Sequence, residues 1–273
     1  MKNIIWLSDL HLDQVSNDKR QKFYHRLSKA HGEAVIITGD ISDGKHIRTH
    51  LLELGEACGT KPVNFVLGNH DFYGSSFAHV YEEVNSLCMR RKNLRHLGNG
   101  EIIPLGDHEA LVGHGAWADG KAGHGSKSRA RNPDFWSIKD FKDKRWSSCF
   151  ELMGCLGKES ASYFRKVLPY TLTCYRHVWV ATHFPPFSQA AHWNGKPCNY
   201  DFQPHYCNTS LGQVLWGMSA SFPASAITVL SGHTHTEVSM SLRPNLHIHT
   251  AGTIPGYPKY HLQPVSEAKR VVA

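Results

Sequence analysis

Short apolar runs, each ending in a small or polar residue, recur along the chain. Residues 2–7 (KNIIWL), 34–38 (AVIIT), 63–67 (VNFVL), 178–182 (VWVAT) and 226–230 (AITVL) predict buried β-strands, since they are short, apolar and rich in β-branched side chains. Residues 101–105, 109–113, 238–242 and 246–250 predict further strands, in a second sheet or on the outside of the first. Helical spacing appears at about 18–30, where Phe23, Leu27 and Ala30 share a face, and at 75–89 with Phe77, Val80, Tyr81, Val84 and Leu87. Leu211, Val214, Leu215 and Met218 repeat that spacing, and all three stripes are read as core faces. Strands alternating with amphipathic helices are the pattern of a layered α/β protein.

The ends of the strands carry the chemistry. IIWLSDLH finishes on Asp9 and His11, VIITGDISDG on Asp40 and Asp43, and FVLGNHD on Asn69 and His70. VWVATH finishes on His183, and ITVLSGHTH on His233 and His235. One such residue alone reads as a turn or cap. Repetition at five strand exits points instead to a single site, because rigid parallel strands aim their C-terminal loops into one crevice. In extended backbone, residues i and i+2 project to the same side. Asp9 with His11, and His233 with His235, are therefore each expected to point one way, with the preceding glycine leaving room for close approach.

Composition narrows the class. The chain of 273 residues is expected to form a single domain over 1–273, with variable insertions at about 115–170 and 184–225. No run reaches the roughly eighteen apolar residues of a membrane span, and the opening meets Asp9 too early for an export signal, so a cytoplasmic location is expected. Seven cysteines without CxxC spacing fit thiols in a reducing compartment, with Cys198, His205 and Cys207 held as a minor zinc alternative. A formal charge of +7 favours an anionic substrate, whether phosphoester, nucleotide or nucleic acid. The basic tract 117–147 reads either as a substrate loop followed by a helix or as a solvent-facing insertion.

Taken in order, Asp-x-His, Gly-Asp-x-x-Asp, Gly-Asn-His-Asp, a lone His and Gly-His-x-His, running from Asp9 to His235, resemble the calcineurin-like metallophosphoesterases. That resemblance implies an α/β fold of four layers, an αββα sandwich of two packed mixed β-sheets, with a dinuclear metal centre at the strand ends. It implies that Asp9, His11, Asp40 and His235 hold one metal and that Asp40, Asn69, His183 and His233 hold the other, Asp40 bridging. By the same resemblance His70 is catalytic and Asp43 is the acidic partner that orients it.

The mix of carboxylate, imidazole and amide suits Mn, Zn or Fe, as well as Co or Ni, so two divalent or trivalent ions and no organic cofactor are expected. Two ions about 3.5–4 Å apart clamp a phosphoryl group and activate a hydroxide for in-line attack. Protonation of the leaving group by His70 is worth about 100- to 10,000-fold in such a reaction.

The expected activity is hydrolysis of a small phosphate ester or nucleotide. A phosphodiesterase or nuclease acting on RNA or DNA is the alternative, and a non-catalytic scaffold of the same fold is the remote one. The scaffold predicts gaps among the ligands, whereas every position is filled. Protein Ser/Thr phosphatases of the superfamily carry an arginine where this chain has Gly44, which argues against a phosphoprotein substrate. Substrate contacts are expected from His114, Arg129, Arg131 and Arg145. The aromatics Phe184, Phe187, Trp193, Tyr200 and Phe202 either line a wall for a base or acyl group or simply pack a loop.

Overall fold

Alternation along each strand decides how the layers stack, and the computed structural model describes it for residues 2–265. The first half winds β1 (Lys2–Leu7), α1 (Asn17–Ser28), β2 (Ala34–Thr38), α2 (Ile47–Cys58), β3 (Val63–Val66), α3 (Phe77–Arg90) and β4 (Leu94–His96). There follow β5 (Ile103–Pro104), β6 (Glu109–Gly113), α4 (Asp134–Ser137), α5 (Trp146–Cys174) and β7 (His177–Ala181). A small hairpin, β8 (His192–Trp193) and β9 (Lys196–Pro197), precedes α6 (Gln203–Tyr206) and α7 (Thr209–Ser221). The chain then forms β10 (Ala226–Ser231), β11 (Val238–Arg243), β12 (Leu246–Thr250) and β13 (His261–Val265).

Two mixed sheets result, in the orders β13-β1-β2-β3-β4 and β11-β12-β10-β7-β6-β5. Their interiors are parallel, and each has antiparallel pairing at an edge. Ile4 and Trp6 of β1, Ile36 of β2 and Val66 of β3 meet Leu111, Trp179, Ala181 and Leu230 of the other sheet in one buried layer. The alternate residues Ile5, Leu7, Val35, Ile37 and Phe65 face outward, where Phe23, Leu27, Leu51, Leu54, Val80 and Val84 of α1, α2 and α3 cover them. On the other side Val178, Val180, Ile227 and Val229 lie beneath Phe164 and Leu168 of α5 and Leu211 and Leu215 of α7. Burial of each such side chain contributes about 1.5–3 kcal/mol. The outcome is the layered sandwich: helices, sheet, sheet, helices.

All nine strands expected from the sequence are present. The departures have local reasons. β13 was not foreseen: among the described residues it pairs with β1, at the other end of the chain, and it is half-exposed, so no run of apolar residues marks it. α2, also unforeseen, buries Ile47, Leu51, Leu54 and Cys58 on one side only. The basic tract leads through the single turn of α4 into α5, a helix of 29 residues. All seven cysteines are free thiols. Among the described residues no helix is long and apolar enough to cross a membrane.

Candidate metal centre

The motif-bearing exits of β1, β2, β3, β7 and β10 converge because their backbones are laced together. Asp9 N–H donates to the Gly39 carbonyl at 3.0 Å, His11 N–H to that of Asp40 at 3.0 Å, and Gly232 N–H to that of His183 at 2.9 Å. The buried Asp71 carboxylate accepts from Ser42 N–H and Gly68 N–H, each at 2.8 Å, and so joins the loops after β2 and β3. Asp71 stands in the Gly-Asn-His-Asp motif, yet only the folded chain reveals this joining role.

The residues at these exits are not extended. Asp9, His11, Asp40, His233 and His235 have φ of 48°, 41°, 50°, 72° and 54°, the left-handed region that costs a non-glycine residue free energy. Among the described residues, only Ala116, Asp143 and Asn194 otherwise share it without being glycine. The expectation that i and i+2 point alike by strand alternation is therefore corrected. Asp9 and His11 do share a cluster, whereas His233 and His235 turn to different ones.

Two motif glycines, Gly68 and Gly232, make room for the neighbouring exit. A Cβ on Gly68 would sit on the Asp40 carboxylate, 2.6 Å from Asp40 N and 2.8 Å from His183 Cε1. A Cβ on Gly232 would collide with Ser8 Oγ and the Asp9 carboxylate.

Two clusters of ligand-type atoms emerge, Asp9, His11, Asp40 and His235 in one and Asp40, His183 and His233 in the other, each with its atoms within 4.8 Å of one another. In the first, His11 Nε2 and His235 Nε2 are 3.2 Å apart, and His235 Nε2 lies 3.4 Å from Asp9 Oδ1. In the second, His183 Nε2 lies 3.3 Å from Asp40 Oδ1. Asn69 Oδ1 completes it, 3.0 Å from His183 Nε2 and 3.1 Å from His233 Nδ1.

Outer partners fix which atoms face inward. His183 Nδ1–H donates to the Thr38 carbonyl at 2.8 Å, and His233 Nε2–H donates to the His205 carbonyl at 3.2 Å. Asn69 Nδ2–H donates to Asp134 Oδ1 at 2.8 Å, so the amide oxygen is the atom turned to the histidines. With these outer hydrogens engaged, Asn69 Oδ1, His183 Nε2 and His233 Nδ1 are the atoms gathered around the shared Asp40 carboxylate. A cation is the partner such an arrangement fits.

The charges agree. Burial opposes ionisation of Asp40, but His183, His70 and His11 around it hold the carboxyl well below the usual range. Burial likewise opposes the Asp9 charge, and His235 overcomes it. Burial lowers His11 to about 4 and pushes His233 well down, leaving both as neutral imidazoles, the form that binds metals. His183 goes the other way: burial opposes its charge, but Asp40 and Asp9 hold it up to about 9, so a cation binding there displaces the Nε2 proton.

His70 sits between two rings, 4.5 Å from that of His11 and 4.1 Å from that of Tyr73, and its backbone N–H donates to Asp40 Oδ1 at 2.9 Å. The expected pairing of Asp43 with His70 is not formed. Asp43 Oδ1 instead accepts from His46 Nδ1 at 2.7 Å and from the N–H groups of His46 and Lys45 at 2.9 and 3.2 Å. A carboxylate two or three residues ahead of free N–H groups at a helix entrance satisfies them locally, and that local turn prevails.

His114 also lies elsewhere. Its Nδ1 accepts from Ala116 N–H, its ring is 5.3 Å from that of Tyr163, and it lines a separate cavity of about 410 Å³. Arg129, Arg131 and Arg145 are exposed, and none makes a hydrogen bond or ion pair to a cluster residue through its side chain. The guanidinium of Arg131 lies instead 6.0 Å from the Trp136 ring. The zinc alternative is not formed either: the His205 ring is hydrogen-bonded by Asn132 and Ser128, while Cys198 and Cys207 pack with Ala191. Of the basic tract, the residue that reaches the clusters is acidic. Asp134, 2% exposed, holds both Asn69 and the Tyr73 hydroxyl, the latter at 2.7 Å, and no sequence spacing announces it.

The sequence profile of the calcineurin-like phosphoesterases matches residues 2–237. The chain belongs to that family. As a member it is a metal-dependent phosphoric ester hydrolase working through a dinuclear metal site, and its two clusters share one carboxylate as such a site demands. A dimetal phosphatase from Danio rerio has the same fold, with 13% identity, a TM-score of 0.56, and coverage of 93% of this chain and 88% of that one. The protein TT1561 of Thermus thermophilus does so too, with 12% identity, a TM-score of 0.56, and coverage of 92% and 89%. No curated protein matches the chain significantly.

Proposed function

We propose that Asp9, His11, Asp40 and His235 hold one ion and that Asp40, Asn69, His183 and His233 hold the other, in an enzyme acting on a small phosphate ester or nucleotide. The observations that carry the assignment are the two clusters sharing Asp40 and, in the second, the inward turn of His183 Nε2, His233 Nδ1 and Asn69 Oδ1, set by Thr38, His205 and Asp134 outside it. Two ions of the Mn, Zn or Fe type, held by these residues, would polarise phosphoryl oxygens and lower the pKa of water.

The chain's own residues do the rest. The left-handed backbone at Asp9, His11, Asp40, His233 and His235 holds the donors in place before substrate arrives, so no reorganisation is needed during reaction. His70, wedged between His11 and Tyr73, has ring nitrogens that make no hydrogen bond among the described residues, and it is the group available to donate a proton to a departing alkoxide. Its orientation rests on ring packing and on its backbone N–H to Asp40. Seven free thiols favour a reducing compartment, and hence the cytoplasm.

The test is turnover of aryl and alkyl phosphate esters by metal-free protein reloaded with a single metal. Asp40→Asn is expected to reduce turnover of both to background. His70→Ala is expected to cost about 100- to 10,000-fold on an alkyl ester but far less on a p-nitrophenyl ester, whose leaving group needs no proton. Full activity in Asp40→Asn, or equal losses on both esters in His70→Ala, contradicts these roles.

A further inference from the structure

Four of the tryptophans are well exposed, and they differ in what they meet. Trp216 is covered by Arg243 at 3.8 Å, and Trp136 lies near Arg131. Trp193, 47% exposed, stands instead beside the metal centre, its ring 6.2 Å from that of His235. From it a row of rings continues to Tyr206 at 6.3 Å and from Tyr206 to Phe202 at 5.8 Å, with interplanar angles of 34° and 28°. Phe202 is 39% exposed, and the ring of Tyr206 also meets His233, at 4.8 Å. The row therefore touches one residue from each cluster and runs outward from there.

The hairpin that presents Trp193 closes in a tight turn. Asn194 and Gly195, with φ of 49° and 76°, supply the two left-handed residues of a tight two-residue turn between β8 and β9. Trp193 and Lys196 are thereby direct cross-strand partners, so ring and ammonium lie on one face of the hairpin. Lys196 is exposed and makes no hydrogen bond or ion pair among the described residues.

We propose that Trp193, with Tyr206 and Phe202 behind it and Lys196 beside it, is a base-stacking platform that selects phosphate esters carrying a nucleoside. An exposed indole beside a free cation, at the edge of a phosphoester site, matches a planar base joined to an anionic phosphate. An acyl chain would require enclosing apolar walls, whereas Trp193 and Phe202 keep open faces. Of the other candidate aromatics, Phe184 is 1% exposed and belongs to the core, Phe187 packs against the core, and Tyr200, though exposed, stacks on His124 and meets neither cluster. This selection rests on the hydrolase reading above, and the experiment keeps the two apart.

Thymidine 5′-(p-nitrophenyl) phosphate and methyl p-nitrophenyl phosphate share a leaving group and differ in the nucleoside, so the ratio of their kcat/KM values isolates its contribution. The wild-type enzyme, reloaded with Mn or Zn, is expected to favour the thymidine ester. Trp193→Ala is expected to lower that preference about 5- to 150-fold, the range of one base–aromatic stack, chiefly through KM. Trp193→Phe, which keeps a π-face, is expected to retain most of it, and melting curves confirm that both variants fold. Equal turnover of the two esters by the wild type, or an undiminished preference in Trp193→Ala, overturns the proposal.

Quenching of tryptophan emission by adenosine monophosphate reads stacking without turnover. It is expected in the wild type and diminished in Trp193→Phe, and the same quenching in both overturns the platform. Quenching without turnover of either diester, or of the aryl and alkyl phosphate esters above, leaves the platform standing and refutes the hydrolase assignment instead.

Discussion

Replacing Asp134 with alanine tests how the second cluster is held. The change removes the acceptor that lies 2.8 Å from Asn69 Nδ2 and 2.7 Å from the Tyr73 hydroxyl, at a position 2% exposed. Hydrogen bonds to a charged group contribute about 1.5–3 kcal/mol each, and relief of the buried carboxylate offsets part of the loss, so we expect a net cost of about 2–4 kcal/mol. At about 2 °C per kcal/mol for a chain of this size, Tm falls by roughly 4–8 °C. The consequence for the site is larger. With its N–H released, the Asn69 amide is free to turn an N–H donor toward His183 and His233, and loss of such an outer partner typically costs about 10- to 100-fold in metal affinity. Titration of metal-free protein with Mn or Zn against a fluorescent chelator measures this. One ion is expected to weaken while the other, at Asp9, His11 and His235, is nearly unchanged. Asp134→Asn keeps an acceptor oxygen and is expected to fall between wild type and alanine, whereas Tyr73→Phe leaves the Asn69 contact and keeps the affinity. A folded Asp134→Ala that binds both ions as the wild type does would refute the reasoning.

Gly68→Ala places a methyl group against Asp40 and His183, where the nearest atoms include the backbone nitrogen of Asp40 at 2.6 Å and so cannot simply rotate away. It is expected to cost about 1–3 kcal/mol in a melting curve and to lower metal stoichiometry below two per chain; a wild-type ion count would show that the loop yields. Metal itself is expected to stabilise the fold, since ligand at 100 times its Kd contributes about 2.7 kcal/mol. Chelation should thus lower Tm by roughly 5 °C in the wild type but hardly at all in Asp40→Asn, and an equal drop in both would place the stabilising metal elsewhere.

Much of the site was legible along the chain because its donors sit directly after apolar runs that are themselves easy to recognise. Asp9, His11, Asp40, Asn69, His183, His233 and His235 all reach the clusters from such positions. Strand alternation nevertheless gave the wrong reason for the paired residues, because a strand's geometry was extended past its end into left-handed backbone. Asp43 misled in a related way: a motif position does not reveal that His46, three residues on, claims the same carboxylate. Basic residues in the tract 117–147 drew attention by their charge, and the one that counts there, Asp134, was inconspicuous beside them.

By itself the sequence determined the layered α/β class, the nine strands that carry apolar runs, the order of the ligand-type residues and the phosphoester chemistry they permit. These are properties of short segments, set by local periodicity and by the residue types placed at each strand exit. Tertiary structure alone decided which atoms face inward, since the tautomers of His183 and His233 and the rotation of Asn69 depend on Thr38, His205 and Asp134, at distances of 145, 28 and 65 residues along the chain. It also decided which aromatics pack and which stay open, burying Phe184 and leaving Trp193 beside His235. Burial and hydrogen-bond pairing are sums over neighbours brought together from the whole chain, and no local pattern encodes them.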